Sequence, residues 1–260
     1  MSNLSSIDQQ FEDKVFIVTG GSTGIGAATI KSLLESGARV FNLDLVKSPT
    51  INEAEKYHYI NCDVSKSESV SIAIKDVLRT SSGKLNGLFS NAGVHFFGTI
   101  EDTDLDTYRR VLEINFSGTF YILKEVIPIL KQNGSGSIVL MGSDQSIIGK
   151  SSSAIYGATK GAIGQLTKSL AIDYAEFGIR VNCVCPGTIE TPLYHNAVDF
   201  FCEKTGANKN EVYQGLANSQ PIKRVGKPEE VSNLVVFLLS EKSTFMTGSL
   251  VSVDGGYVAQ

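Results

Sequence analysis

Seven short β-branched runs recur along the chain, most of them separated by longer stretches with helical spacing, and this alternation is the strongest constraint on the fold. The runs are KVFIVT (14–19), RVFNL (39–43), HYIN (58–61), GLFS (87–90), SIVLM (137–141), RVNCVC (180–185) and SLVSV (249–253). Among the helical stretches are GAATIKSLLES (26–36) and IYGATKGAIGQLTKSLAIDYAEF (155–177). Near-continuously apolar strands joined by helices predict a mostly parallel seven-stranded sheet covered on both faces, a doubly wound α/β fold of Rossmann type. No repeat, low-complexity block or Pro-rich linker divides the 260 residues, and 42% hydrophobic content is enough for a large core. One domain over 12–260 is expected, after a flexible lead over 1–11. The rhythm breaks at 192–222, where two short helices are expected between the last two strands. A segment of this length at a sheet rim reads as a lid over a ligand.

The first strand runs directly into VTGGSTGIG, placing Gly20, Ser22, Thr23, Gly24, Ile25 and Gly26 in the turn that opens the first helix. Glycines here let the backbone approach a pyrophosphate, and the helix N-terminus supplies N–H groups and a partial positive charge. The spacing is G-x-x-x-G-x-G and no Gly-Lys-Ser/Thr follows, so the turn is not a nucleoside-triphosphatase loop; by itself it is equally compatible with an ordinary glycine-rich turn. Asp44 ends the second strand eighteen residues after Gly26, where a carboxylate accepts both hydroxyls of an adenine ribose and repels a 2′-phosphate. With Lys47 the only nearby cation after it, NAD is favoured over NADP as the cofactor.

A formal net charge of -4 and a pI near 5.5 give no electrostatic footprint for nucleic acid or an anionic membrane. No apolar run approaches a membrane span, and MSNLSSIDQQFE is not a signal peptide, so a cytoplasmic protein is expected. The four cysteines, Cys62, Cys183, Cys185 and Cys202, form no zinc-type spacing, and Cys183 with Cys185 is read as core packing, with no metal site.

The segment SDQSIIGKSSSAIYGATK places Tyr156 and Lys160 one helical turn apart, with Ser143 at the end of the preceding strand. Together with TGGSTGIG (19–26), CDVS (62–65), SNAG (90–93), Asn115, RVNCVCPGTIETP (180–192) and TGSLVSVDGG (247–256), these residues make the chain resemble the short-chain dehydrogenase/reductase family from about residue 12 to the end. Two small departures are Ser90 and Gly142, where the family often has Asn and Ser. The resemblance implies a catalytic group of Asn115, Ser143, Tyr156 and Lys160. It implies cofactor contacts at Leu45, Cys62, Asp63, Val64, Asn91, Ala92, Gly93, Pro186, Gly187, Ile189 and Thr191, as well as at the glycine turn, Asp44, Tyr156 and Lys160. Asp63 would meet the adenine, Ile189 and Thr191 the nicotinamide amide and phosphates, and Asn115 would hold a water linking Lys160 to solvent. Read without the resemblance, Asn115 is a helix-surface amide.

The chemistry fits these residue types. Interconverting a secondary alcohol and a ketone needs one group to take or return the hydroxyl proton while hydride moves to or from the nicotinamide. A free tyrosine, with a pKa near ~10, is too weak a base at neutral pH, and the Lys160 charge is expected to lower it. The Ser143 hydroxyl can donate to the carbonyl oxygen as charge develops.

A polar rim of His95, Asp144, Gln145, Lys150, Tyr194 and His195 suits a hydroxylated or acidic small-molecule substrate, with His95, Ser143, Gln145, Tyr156 and Tyr194 as its expected contacts. Phe96, Phe97, Ile147, Ile148, Phe200 and Phe201 would equally line an apolar slot. The expected activity is NAD(H)-dependent oxidoreduction of a sugar, polyol or small hydroxy acid. Two alternatives stay open, a 3-oxoacyl-thioester reductase and a catalytically silent nucleotide-sensing protein on the same scaffold. By resemblance a homotetramer is expected, with a dimer as the alternative, paired through helices around 105–131 and 155–177 and through the C-terminal SLVSVDGGYVAQ.

Overall fold

Strand β1 (Val15–Thr19) is buried along its whole length, as a strand must be when helices cover both faces of its sheet. It pairs in parallel with β2 (Arg39–Asp44) on one side and β4 (Gly87–Ser90) on the other, in register Val15 to Arg39 and Phe16 to Gly87. With β3 (Tyr57–Asn61), β5 (Gly136–Met141), β6 (Ile179–Pro186) and β7 (Leu250–Val253) they form one sheet of order β3-β2-β1-β4-β5-β6-β7, parallel throughout. The chain reverses its direction of travel between β1 and β4, and the crevice at the carboxyl edge of such a switch point is where open α/β sheets take ligands. The computed structural model describes residues 9–52 and 54–260.

The two-residue period of the strands sorts their side chains into two cores. Phe16, Val18, Val40, Phe89, Val139 and Val184 face α1 (Gly24–Glu35) and α8 (Pro228–Leu239). Ile17, Phe41, Leu43, Leu88, Ile138, Leu140, Cys183 and Cys185 face α2 (Ser67–Thr80), α4 (Gly118–Asn133) and α5 (Ala154–Tyr174). Cys183 and Cys185 therefore pack in the core, their Sγ atoms 3.8 Å apart.

Every expected strand is present to within a residue at each end. Two expectations shift. Phe11, assigned to the lead, is 3% exposed and sits edge-on against Phe16, because the α1–β2 layer offers an apolar seat close to the chain start. Residues 1–8 of that lead lie outside the described residues. The helix expected through 105–131 is α3 (Leu105–Leu112) joined to α4 by a π-helical turn, Glu113–Ser117, and that turn contains Asn115. In the 192–222 segment, α6 (Pro192–Thr205) and α7 (Lys209–Ser219) supply the two expected helices.

Candidate active site

The glycine turn is shaped by sterics. Gly20 and Gly24 hold φ of +63° and +54°, and a Cβ on Gly20 would lie 2.8 Å from the Ala92 Cα. A Cβ on Gly26 would lie 2.3 Å from the Gly20 carbonyl oxygen, so this glycine lets the helix pack on its own turn. Thr23 precedes α1 in extended conformation without capping it, and the first helical turn carries no acid. The positive end of the helix is thus open to the cavity that Gly20, Thr23, Gly24 and Ile25 line.

This cavity, about 870 Å³, runs along the carboxyl edge of the sheet. Asp44, Leu45, Cys62, Asp63, Val64, Asn91, Ala92, Gly93, Pro186, Gly187, Ile189 and Thr191 line it as the resemblance implied. Asp44 is held there by two backbone donors, the N–H groups of Ser22 at 2.9 Å and Leu45 at 2.7 Å. Asp63 accepts from the Ser65 hydroxyl at 2.7 Å. Ser22 and Gly26 do not line the cavity. The Ser22 hydroxyl points into the core, donating to the Val46 carbonyl and accepting from Asn42 Nδ2, while the Ser22 N–H holds Asp44. The Asn91 amide is also spent on scaffolding, donating to the carbonyls of Thr19 at 3.0 Å and Gly20 at 2.8 Å.

The cradle meets the requirements of a dinucleotide: positive-φ glycines that no side chain could replace, an uncapped helix N-terminus, and a fixed carboxylate at the end of the second strand.

At the far end of the same cavity Ser143, Tyr156 and Lys160 come together. Ser143 begins a 3-10 turn, Asp144–Ser146, at the end of β5. Its Oγ accepts from the Gln145 N–H at 3.2 Å and donates to Asp144 Oδ1 at 2.8 Å. Ser146 donates to the Lys160 carbonyl at 2.8 Å, fastening this turn to α5. The Lys160 ammonium is buried and donates to the Met141 carbonyl at 2.8 Å, with its Nζ 5.6 Å from the Tyr156 ring centre.

The electrostatics depart from expectation here. The Tyr156 phenol was expected below the ordinary tyrosine value; burial pushes it up to about 12, the Asp144 carboxylate adds to the rise, and the Ser143 hydrogen bond opposes it. Burial likewise brings Lys160 down to about 8, against the pull of Cys183 and Cys185. A cation directed at a strand carbonyl does not offset removal of the phenolate from water.

Asn115 does not line the cavity, and it is not a surface amide either. It is 2% exposed, accepting from the Val94 N–H at 2.8 Å and donating to the Val94 carbonyl at 2.9 Å and to Thr159 Oγ1 at 3.2 Å. Thr159 in turn donates to the Tyr156 carbonyl at 2.7 Å. The π-helical turn swings Asn115 inward to this double bond with the chain after β4, a geometry that sequence periodicity does not reveal.

His95, Gln145 and Tyr194 line the same cavity. The His95 ring lies 4.5 Å from that of Tyr156 and 4.3 Å from that of Phe97; burial, helped by Lys150 and Lys160, brings its pKa down to about 4, so it is a neutral wall at physiological pH. Gln145 is 8% exposed and its Oε1 is buried without a partner. Of the apolar candidates Phe97 and Phe201 line the cavity, while Phe96, Ile147, Ile148 and Phe200 do not. His195 also turns away, its Nδ1 3.0 Å from the Tyr213 hydroxyl, linking α6 to α7. Sequence reading missed Met141 and Thr159, which act through backbone and helix contacts, and Tyr257, brought in from the C-terminal turn.

Comparison with known proteins agrees with this geometry. The family model described as Enoyl-(Acyl carrier protein) reductase matches residues 20–258. L-fucose dehydrogenase from Bos taurus is 36% identical over 251 residues, covering 95% of this chain and 90% of that protein. A short chain dehydrogenase family protein from Francisella tularensis superposes with a TM-score of 0.86 at 39% identity, over 95% of this chain and 99% of that one. Aldohexose dehydrogenase from Thermoplasma acidophilum gives 0.89 at 33% identity, over 98% and 97%. With the parallel sheet, the glycine cradle and the ordered motifs all in agreement with these matches, the chain belongs to the short-chain dehydrogenase/reductase family.

Proposed function

We propose that the protein is an NAD(H)-dependent oxidoreductase that interconverts a secondary alcohol and a ketone, with Tyr156 as the acid/base. The observation that carries this reading is the convergence of Ser143, Tyr156 and Lys160 at one end of a cavity whose other end is the glycine cradle. Gly20, Thr23, Gly24 and Ile25 would hold the pyrophosphate, Asp44 the adenine ribose and Lys160 the nicotinamide ribose. When bound, the nicotinamide supplies the hydride chemistry.

In alcohol oxidation the Tyr156 phenolate takes the substrate hydroxyl proton, and in ketone reduction the phenol returns it to the carbonyl oxygen. Ser143 donates to that oxygen as negative charge develops on it. His95, neutral and packed on the Tyr156 ring, walls the reacting centre from solvent. Asn115 and Thr159 anchor the helix turn that carries Tyr156.

Asp44 supports NAD over NADP, because its two backbone donors hold the carboxylate where a 2′-phosphate would meet it. A polyhydroxylated substrate, a sugar or polyol, is supported by the polar groups at the rim, Gln145, Lys150, Tyr194 and Tyr257, and by the names of the L-fucose and aldohexose relatives. Helices α6 and α7 are read as the lid, since Leu193, Tyr194, Val198, Phe201, Val212 and Leu216 all line the substrate end. A homotetramer is supported by exposed apolar side chains on the helices expected to pair, Leu105, Phe120 and Ile172.

The deciding experiment compares the wild type with Tyr156→Phe in NADH fluorescence titration and in turnover of L-fucose, aldohexoses, polyols, hydroxy acids and a 3-oxoacyl thioester. Tyr156→Phe is expected to bind NADH as the wild type does while turnover falls by at least about 10³-fold. Full activity in that variant would refute the assignment.

A further inference from the structure

The Ser143 hydroxyl has one proton and three claimants for it. Its Oγ donates to Asp144 Oδ1 at 2.8 Å, it is near enough to the Tyr156 phenol to favour the phenolate, and in the reaction proposed above it must serve the substrate oxygen. The first claimant is unusual in its setting: Asp144 is 2% exposed, a carboxylate at the wall of the reaction cavity beside an uncharged tyrosine. Burying a carboxylate in such a place is costly unless it has a partner. It is matched by Lys150, whose Nζ donates to Asp144 Oδ2 at 2.5 Å and lies 4.3 Å from the centre of the Tyr257 ring. The lysine side chain is 25% exposed against 3% for the aspartate, so the cation sits at the rim and the anion behind it.

We propose that Asp144 and Lys150 are a positioning pair for Ser143: the carboxylate parks the serine proton until a substrate oxygen replaces it, and the ammonium keeps the carboxylate from holding that proton too tightly. The exchange moves a hydrogen bond only. The proton stays on Oγ throughout. The pair also sets the field at the phenol. An unneutralised Asp144 charge opposes phenolate formation, and Lys150 offsets it.

The other groups facing this centre are accounted for. His95 is neutral, Lys160 is directed at Met141, Cys183 and Cys185 lie behind Lys160, and Tyr257 receives the Lys150 cation on its ring face. Asp144 is the negative neighbour that acts on Tyr156, and Lys150 is its neutralising partner.

The pair rests on the catalytic reading of Ser143 and Tyr156, and two separate measurements keep the two apart. The first is the Tyr156 titration midpoint, read by NMR of protein labelled with ¹³Cζ-tyrosine, with and without NAD⁺, the signal being assigned by its loss in Tyr156→Phe. Lys150→Met is expected to move the midpoint up and Asp144→Asn to move it down, each by about one pH unit, with Lys150→Arg close to wild type. The second is turnover of the sugar or polyol selected by the panel above. There Lys150→Met lowers kcat about tenfold with KM within about twofold, and costs little further in a Ser143→Ala background, because it acts through that serine.

Midpoints that stay together in the two variants overturn the proposal. So does a Lys150→Met effect confined to KM, which would make the lysine a substrate contact, and so does a full tenfold loss in Ser143→Ala. An active Tyr156→Phe sinks the catalytic reading instead, and the midpoint measurement then still decides whether the pair governs the phenol.

Discussion

The Lys160 ammonium donates to the Met141 carbonyl at 2.8 Å, tying the middle of α5 to the end of β5. A buried cation with one carbonyl partner is poised for a second partner on its cavity side. Lys160→Met should therefore weaken NADH binding about tenfold or more and cut kcat by at least about 10²-fold. Fluorescence titration beside steady-state kinetics separates the two losses.

The Tyr156 phenol, pushed up to about 12, is protonated throughout the physiological range. Ketone reduction needs the phenol and should be nearly flat with pH until Lys160 begins to lose its charge near pH 8. Alcohol oxidation needs the phenolate, so its kcat should climb with pH, approaching about tenfold per unit where the phenolate is the scarce form. Lys160, brought down to about 8, loses its charge over the same range, so the NAD⁺ KM should worsen above that pH. Initial rates in both directions from pH 6.5 to 10 test both trends.

Asp44 accepts from two backbone N–H groups, which leaves its carboxylate little freedom to turn away from a 2′-phosphate. Asp44→Ala should weaken NADH by about 1–3 kcal/mol and strengthen NADPH, narrowing or reversing the preference. Paired titrations with the two reduced cofactors measure it.

Gly26→Ala forces a Cβ to within 2.3 Å of the Gly20 carbonyl oxygen, which already accepts from Asn91 Nδ2 at 2.8 Å. A loss of at least about 2 kcal/mol in stability is expected, together with loss of NADH affinity, because the glycine turn itself must open. Urea denaturation reads the first and fluorescence the second.

His95 has a folded pKa of about 4 against 6.5 for the free side chain. Between those values the unfolded chain binds a proton that the folded chain refuses, so stability falls as pH drops from 6.5 to 4. The loss accumulates to roughly 3 kcal/mol. His95→Asn should remove most of this acid sensitivity, which urea melts at pH 7 and pH 4.5 would show.

Fold class, strand placement and the shape of the glycine turn were legible from sequence because local rules govern them. Near-continuous apolar runs mark strands buried on both faces, the glycines of residues 20–26 mark a turn that side chains cannot occupy, and Asp44 follows at the distance one helix and one strand impose. Ser143, Tyr156 and Lys160 were singled out in advance by the family resemblance, with the last two one helical turn apart and the first at a strand end, and the fold brings all three to one cavity. Orientation and field were decided only by the tertiary structure. Asn115 turns inward because a π-helical turn faces Val94, Ser22 points away from the cavity because Asn42 and Val46 claim its hydroxyl, and Lys160 reaches Met141. The rise of the phenol depends on burial by chain segments distant in sequence and on a neighbouring carboxylate. Spacing along a chain specifies which groups can meet, but the desolvation and hydrogen-bond partners that set their protonation exist only once the segments have packed.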